Sequence, residues 1–122
     1  MAGMTRRSAC PVACALDLAG DRCTLLVVRD LLRGRHTYGE LAASPEGIPT
    51  NILADRLRRM EEAGLIEAKP YQERPVRYAY TLTQKGRGLE DVMRAFGRWG
   101  TRHLPRTKVM PEFLHSKALL SK

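Results

Sequence analysis

Residues 37–65 read TYGELAASPEGIPTNILADRLRRMEEAGL, and their order decides the fold. Thr37 with Glu40 three positions on has the spacing of a capping box, so a short helix is expected over residues 38–43. Ser44-Pro45-Glu46-Gly47 is a cluster of turn formers. An amphipathic helix is expected next, from Pro49 or Thr50 to Ala63, with Gly64 as its stop. Ile52, Leu53, Leu57 and Met60 share one arc of it; Thr50, Asn51, Ala54, Asp55, Arg58 and Arg59 share the other. Arg56 projects within the apolar arc, which marks it as a structural ion-pair partner more than a free contact.

Downstream, two strands are expected at residues 65–70 and 76–82. In the second, Val76, Tyr78, Tyr80 and Leu82 alternate with Arg77, Ala79 and Thr81. Residues 71–75 form a polar hairpin tip between them. Thr83 is expected to cap one long helix over residues 83–104, with Leu89, Val92, Met93, Phe96, Trp99 and His103 as its apolar stripe and Pro105 as its end. Upstream, Pro11 suits a first helical position, and Val12, Ala15, Leu16 and Ala19 recur at helical spacing up to Gly20. A further helix runs from Asp21 or Cys23 to Arg33, before Gly34. Leu25, Leu26, Val27, Val28, Leu31 and Leu32 cover most of its surface and leave Arg29, Asp30 and Arg33 as a narrow polar stripe, so it belongs in the middle of the core.

Short helix, turn, amphipathic helix and hairpin together make a winged helix-turn-helix: a mainly α fold with a small β hairpin, or α+β. The domain is expected over residues 10–104, preceded by a flexible basic arm at 1–9. The tail at 105–122 is expected to hold one more short helix from Pro111. The bulky stripe of the last helix is more than a domain this small can cover alone, so it marks an interface.

The chain has 122 residues, with 21 Lys+Arg against 13 Asp+Glu and a formal net charge of +8. That balance points to a polyanion, nucleic acid or an acidic membrane surface. The membrane is set aside, because the longest apolar stretches, such as residues 25–28, are only a few residues long. The start of the chain has no apolar run of a signal peptide. Three cysteines do not make a secreted disulfide framework, so a cytoplasmic location with reduced thiols is expected. There is no glycine-rich phosphate loop and no nucleophile–base pair. His36, His103 and His115 are isolated, and Cys10, Cys14, Cys23 and His36 match no common zinc spacing. No catalytic residue, metal or cofactor is therefore expected.

The remaining partner is double-stranded DNA. In a helix-turn-helix the second helix enters the major groove by its N-terminal end. Here that end is Pro49-Thr50-Asn51. Asn51 has the donor and acceptor to hold adenine in a bidentate way, and Thr50 can cap the helix or donate to a phosphate. Asp55, Arg58 and Arg59 follow on the same face, with the arginines placed for flanking phosphates. Thr37 and Tyr38 open the preceding helix, whose amides suit a phosphate. Arg74 and Arg77 put positive charge on the wing. A protein-interaction module of the same fold is the alternative.

Several segments carry a resemblance to a known family: Cys10-Pro11-Val12, Ala15-Leu16-Asp17-Leu18, Thr24-Leu25-Leu26, Tyr38-Gly39-Glu40-Leu41, Gly47-Ile48-Pro49-Thr50-Asn51, Glu62-Ala63-Gly64-Leu65-Ile66, Tyr80-Thr81-Leu82-Thr83 and Trp99-Gly100. Over residues 10–104 the chain resembles HxlR-type winged helix regulators, related to the MarR group. The family usually has Trp where this chain has Cys23. The resemblance implies a homodimeric DNA-binding transcriptional regulator that pairs through its terminal helices. Val12, Leu16, Leu89, Val92, Met93, Phe96 and Trp99 are then the expected interface.

The resemblance also implies a role for Cys10, since some members sense oxidants or electrophiles with the cysteine of this Cys-Pro motif. Cys10 stands before a helix N-terminus with Arg6 and Arg7 nearby, surroundings that favour thiolate. The alternatives are an inert thiol and a small effector in the dimer crevice. A Cys10–Cys14 bridge would distort the helix start, because Cβ atoms one turn apart are about 5–6 Å distant and a disulfide needs roughly 3.5–4.5 Å.

Overall fold

The structure is a computed structural model, described over residues 8–107. The expected basic arm with Arg6 and Arg7, and the expected tail helix from Pro111, fall outside the described residues, apart from Ser8 and Ala9 of the arm. The elements are α1 (Pro11–Ala19), α2 (Thr24–Leu32), α3 (Tyr38–Ala42), α4 (Thr50–Glu62), β1 (Ile66–Glu73), β2 (Val76–Leu82), α5 (Gln84–Arg87) and α6 (Leu89–His103). The expected helix-turn-helix followed by a hairpin wing is what forms.

Helix starts follow local chemistry. Cys10 is the N-cap of α1 and its carbonyl accepts the Cys14 amide at 3.0 Å, with Pro11 in the first position. Asp21 caps the start of α2, accepting the Cys23 and Thr24 amides at 2.9 Å each and the Thr24 hydroxyl as well. Partial burial pushes the Asp21 carboxyl up, but these hydrogen bonds and the nearby Arg56 charge outweigh it, and it titrates below the ordinary range. Thr37 and Glu40 form the expected capping box.

The core is built from Val27, Val28 and Leu31 of α2, Leu41 of α3, Leu53, Leu57 and Met60 of α4, and Leu65 and Ile66 entering the wing. Each such side chain contributes about 1.5–3 kcal/mol by leaving water. Three side chains depart from the sequence reading. Ile52, expected on the core arc, and Leu32, expected among the apolar residues of a central α2, are each 37% exposed. Asp30, expected on the polar stripe of α2, is buried. Arg29 makes that burial tolerable: its Nε and Nη2 donate to Asp30 Oδ1 at 3.2 and 3.0 Å, while its Nη1 donates to Glu46 Oε2 at 2.8 Å. One guanidinium thus ties α2 to the turn before α4. Burial pushes Arg29 down, but Glu46 and Asp30 outweigh that and hold its pKa above the ordinary value.

β1 and β2 pair antiparallel, Ile66 opposite Leu82 and Ala68 opposite Tyr80. β1 runs three residues further than expected. A register shift between Pro70 and Gln72 lets pairing resume as Gln72 opposite Arg77 and Glu73 opposite Val76. The segment before α3 adds a further rung: Tyr80 N donates to His36 O at 2.7 Å, and Thr37 bridges Ala79.

The long C-terminal helix expected from Thr83 is two helices. Thr83 caps α5, accepting from the Gly86 amide at 3.1 Å, but the helix breaks at Gly88 and α6 begins afterwards. Two glycines within three positions lower helix propensity at the break. Gly86 is also required by packing, because a Cβ there would collide with the Leu65 carbonyl.

Candidate nucleic-acid interface

The start of α3 and the start of α4 are tied by one bond: the Tyr38 hydroxyl donates to the Thr50 carbonyl at 3.0 Å. Of the expected contact residues, this brings Tyr38 and Thr50 together and places Thr37 beside them. Pro49 is the N-cap of α4 and makes no side-chain cap, so Thr50 sits one residue inside the helix and, of its two expected roles, does not take that of the cap. Pro49, Thr50 and Asn51 are all exposed. Ile52, read from the sequence as core, stands exposed next to Asn51, where an apolar side chain can meet a thymine methyl. Its helical spacing gave no sign of this, because it lies at the edge of the apolar arc.

The α3 N-terminus is already occupied by an anion. Glu40 Oε1 accepts the His36 and Thr37 amides at 2.8 and 3.0 Å, and Thr37 Oγ1 accepts the Glu40 amide at 3.1 Å. Those amide bonds hold the Glu40 carboxyl below its ordinary range. A phosphate at this helix end would have to approach that carboxylate.

Further along α4 the charges are paired with one another. Arg58 Nη2 meets Asp55 Oδ1 at 2.6 Å, Arg58 Nη1 meets Glu62 Oε2 at 3.2 Å, and Arg59 Nε meets Asp55 Oδ2 at 3.1 Å. The Arg58 hydrogen bond and the charges of Arg59, Arg58 and Arg56 hold Asp55 down, and Asp55 with Glu62 raises Arg58. These pairs are solvated and weakened by water and salt, so exchange for a phosphate costs little. Arg56 pairs with Asp21, Nε to Oδ2 at 3.2 Å, in the structural role its position suggested.

Arg74 and Arg77 stand apart from the helix, at the distal end of the hairpin, and both are exposed. Among the described residues neither has an ion pair. The Gln72 side chain braces the tip by donating to the Pro75 carbonyl at 3.2 Å.

The expected interface residues divide. Leu89 packs against the core and Met93 is half-buried. Val12, Leu16, Val92, Phe96 and Trp99 are exposed, Phe96 by 62% and Trp99 by 57%. Cys10 is exposed, Cys14 is half-buried with its thiol donating to the Ser8 carbonyl at 3.2 Å, and Cys23 is buried. Among the described residues no three His, Cys, Asp or Glu side chains converge on one point, and no helix is long and apolar enough to cross a membrane.

Comparison with known proteins agrees with this architecture. The chain is 40% identical over 97 residues to an uncharacterized HTH-type transcriptional regulator of Mycobacterium tuberculosis, a match covering 80% of this chain and 61% of that protein. It therefore spans about three fifths of the length of that relative. Among solved structures it resembles PA1607, with a TM-score of 0.75 and 38% identity over 85% of this chain and 73% of that one. It also resembles the redox regulator HypR in its reduced form, with a TM-score of 0.70 and 26% identity over 76% of this chain and 92% of that one. The model of the HxlR-like helix-turn-helix family matches residues 18–108, and this chain belongs to that family of transcriptional regulators.

Proposed function

We propose that the protein is a homodimeric, sequence-specific DNA-binding regulator whose recognition helix is α4. The observation that carries this reading is the Tyr38–Thr50 bond, which fixes α3 against an α4 whose first residues, Thr50 and Asn51, face solvent. Asn51 reads a base edge. Thr50, Arg58 and Arg59 meet the phosphates beside it, Thr37 and Tyr38 flank them, and Asp55 orients the two arginines. Arg74 and Arg77 extend the contact to the neighbouring backbone or minor groove. Two copies pair through Val12, Leu16, Val92, Phe96 and Trp99, which supports a palindromic site.

Cys10 is the proposed signal input. It is exposed at the start of α1, and the family likeness extends to a protein described as a redox regulator. A thiol oxidant, taking up two electrons and two thiol protons, would join Cys10 to a thiol of the second copy as a disulfide across the dimer.

The test is a gel shift on DNA from upstream of the protein's own gene, with reduced protein, protein treated with a thiol oxidant, and Cys10→Ser. Salt-sensitive, sequence-dependent binding is expected, changed by oxidation in the wild type and unchanged in the variant. Absence of duplex binding at micromolar protein overturns the DNA reading in favour of a protein-interaction module. Binding indifferent to oxidation removes the thiol switch and leaves a small effector as the signal.

A further inference from the structure

The first turn of α4, Thr50-Asn51-Ile52-Leu53, carries no charge. In a recognition helix this is the end that meets the base edges of the major groove. A guanine shows two acceptors there and is held by Arg or Lys; a cytosine shows an N4 donor and is held by Asp or Glu. Neither kind of side chain stands in this turn.

The charges around it are already engaged. Asp55, the first carboxylate of α4, meets Arg58 at 2.6 Å and Arg59 at 3.1 Å, and Arg58 also meets Glu62 at 3.2 Å. Arg58 lies about 10 Å further along the helix axis than Asn51, at the height of the flanking phosphates. Glu40, at the start of α3, accepts the His36 and Thr37 amides. Tyr38 gives its one hydroxyl proton to the Thr50 carbonyl.

Asn51 and Ile52 remain for the bases, with the Thr50 hydroxyl, which serves any base and adds no preference. The Asn51 amide matches the N6 donor and N7 acceptor of adenine. Ile52 is exposed and lies outside the core cluster, whereas Leu53, Leu57 and Met60 of the same helix fill it. It stands about 100° round the helix from Asn51, so the two face neighbouring base pairs. An aliphatic side chain in the major groove finds one apolar partner, the C5 methyl of thymine. Against any other edge it strips water from polar atoms and returns no hydrogen bond.

We propose that the start of α4 selects adjacent A·T pairs, with Asn51 holding an adenine and Ile52 covering the methyl of a neighbouring thymine, and that it discriminates against G·C at that step. This preference rests on α4 being the recognition helix, as proposed above, and names the class of sequence that helix reads. Because Ile52 meets a methyl and not a ring, 5-methylcytosine is tolerated at its position better than cytosine.

The test is selection of duplexes from a random-sequence library by the full chain, followed by anisotropy titrations on the enriched duplex with single base analogues. Adjacent A·T pairs are expected in each half-site. Deoxyuridine, which lacks the methyl, should weaken wild-type binding about fourfold at one thymine, and Ile52→Ala should bind the two duplexes alike. 7-Deazaadenine at the neighbouring pair should weaken the wild type about tenfold and leave Asn51→Ala indifferent. Cytosine in place of the sensitive thymine should weaken binding, and 5-methylcytosine should restore part of it. The base analogues probe the wild-type protein, so these results do not depend on a variant folding. Enriched duplexes with G·C at the contacted step, deoxyuridine tolerated at every thymine, or an Ile52→Ala protein that still distinguishes thymine from deoxyuridine overturns the A·T preference and leaves the DNA function standing. A chain that binds no duplex, or enriches no sequence, overturns both.

Discussion

The ammonium of Lys85 donates to the carbonyl of Ala63 at 2.8 Å, joining α5 to the C-terminal end of α4. Thr83 completes the clamp: its hydroxyl donates to Gly64 O at 2.6 Å and its amide to Leu65 O at 3.0 Å. The last carbonyls of a helix lack internal partners and carry its negative end, so a cation there is favourable. Lys85→Met should cost about 0.5–1 kcal/mol, allowing for solvent screening. Urea denaturation reads it, and Lys85→Arg should recover most of the loss. An unchanged midpoint in Lys85→Met would show the clamp to be idle.

The proposed DNA contacts separate by type. Asn51→Ala should lose about 1–3 kcal/mol at one base position and relax its specificity. Arg77→Ala should weaken binding on every sequence and lower the salt slope by about 1. Anisotropy titrations on a set of single-base operator variants at several salt concentrations distinguish them. Uniform weakening by Asn51→Ala would reassign it to a phosphate.

Phe96 and Trp99 are more than half exposed on α6, beside Val92, and the three line one apolar hollow with Ala95. Phe96→Glu should convert the proposed dimer to monomer in sedimentation velocity at micromolar protein while leaving the far-ultraviolet spectrum intact, since the side chain is 62% exposed. A dimer that survives Phe96→Glu and Trp99→Glu together would place the interface elsewhere.

Acid should loosen the start of α2. Asp21 titrates below its ordinary value of 3.8, so its contribution is complete above that value and fades as pH falls through the lower folded value. In Asp21→Asn the slope of stability against pH below about 4 should be shallower than in the wild type. Parallel slopes in urea melts from pH 5 to pH 2.5 would remove Asp21 from the acid response.

What could be read from the chain alone was local. The Thr37–Glu40 capping box, Pro11 at the start of α1, and Gly34 and Gly64 after their helices each follow from neighbours within a turn; Gly34 and Gly64 adopt φ of 98° and 78°. The helix-turn-helix and wing followed from the order of such signals. Arg56 lies halfway: its position in the apolar arc announced an ion pair, but nothing in its own helix named Asp21.

The misreadings share one cause. Asp30 is buried beside Arg29, which also reaches Glu46, seventeen residues further along the chain. β1 lengthens because Gln72 and Glu73 find partners across a register shift. The C-terminal helix divides at Gly88 while Gly86 is pressed onto the Leu65 backbone. Hydrophobic period and capping chemistry extend over about one or two helical turns, and they determined the element types, the fold class and the family. Which polar side chains are buried together, which apolar ones stay in water, and which carboxylate Arg56 meets depend on contacts between distant segments, and only the tertiary structure decided them.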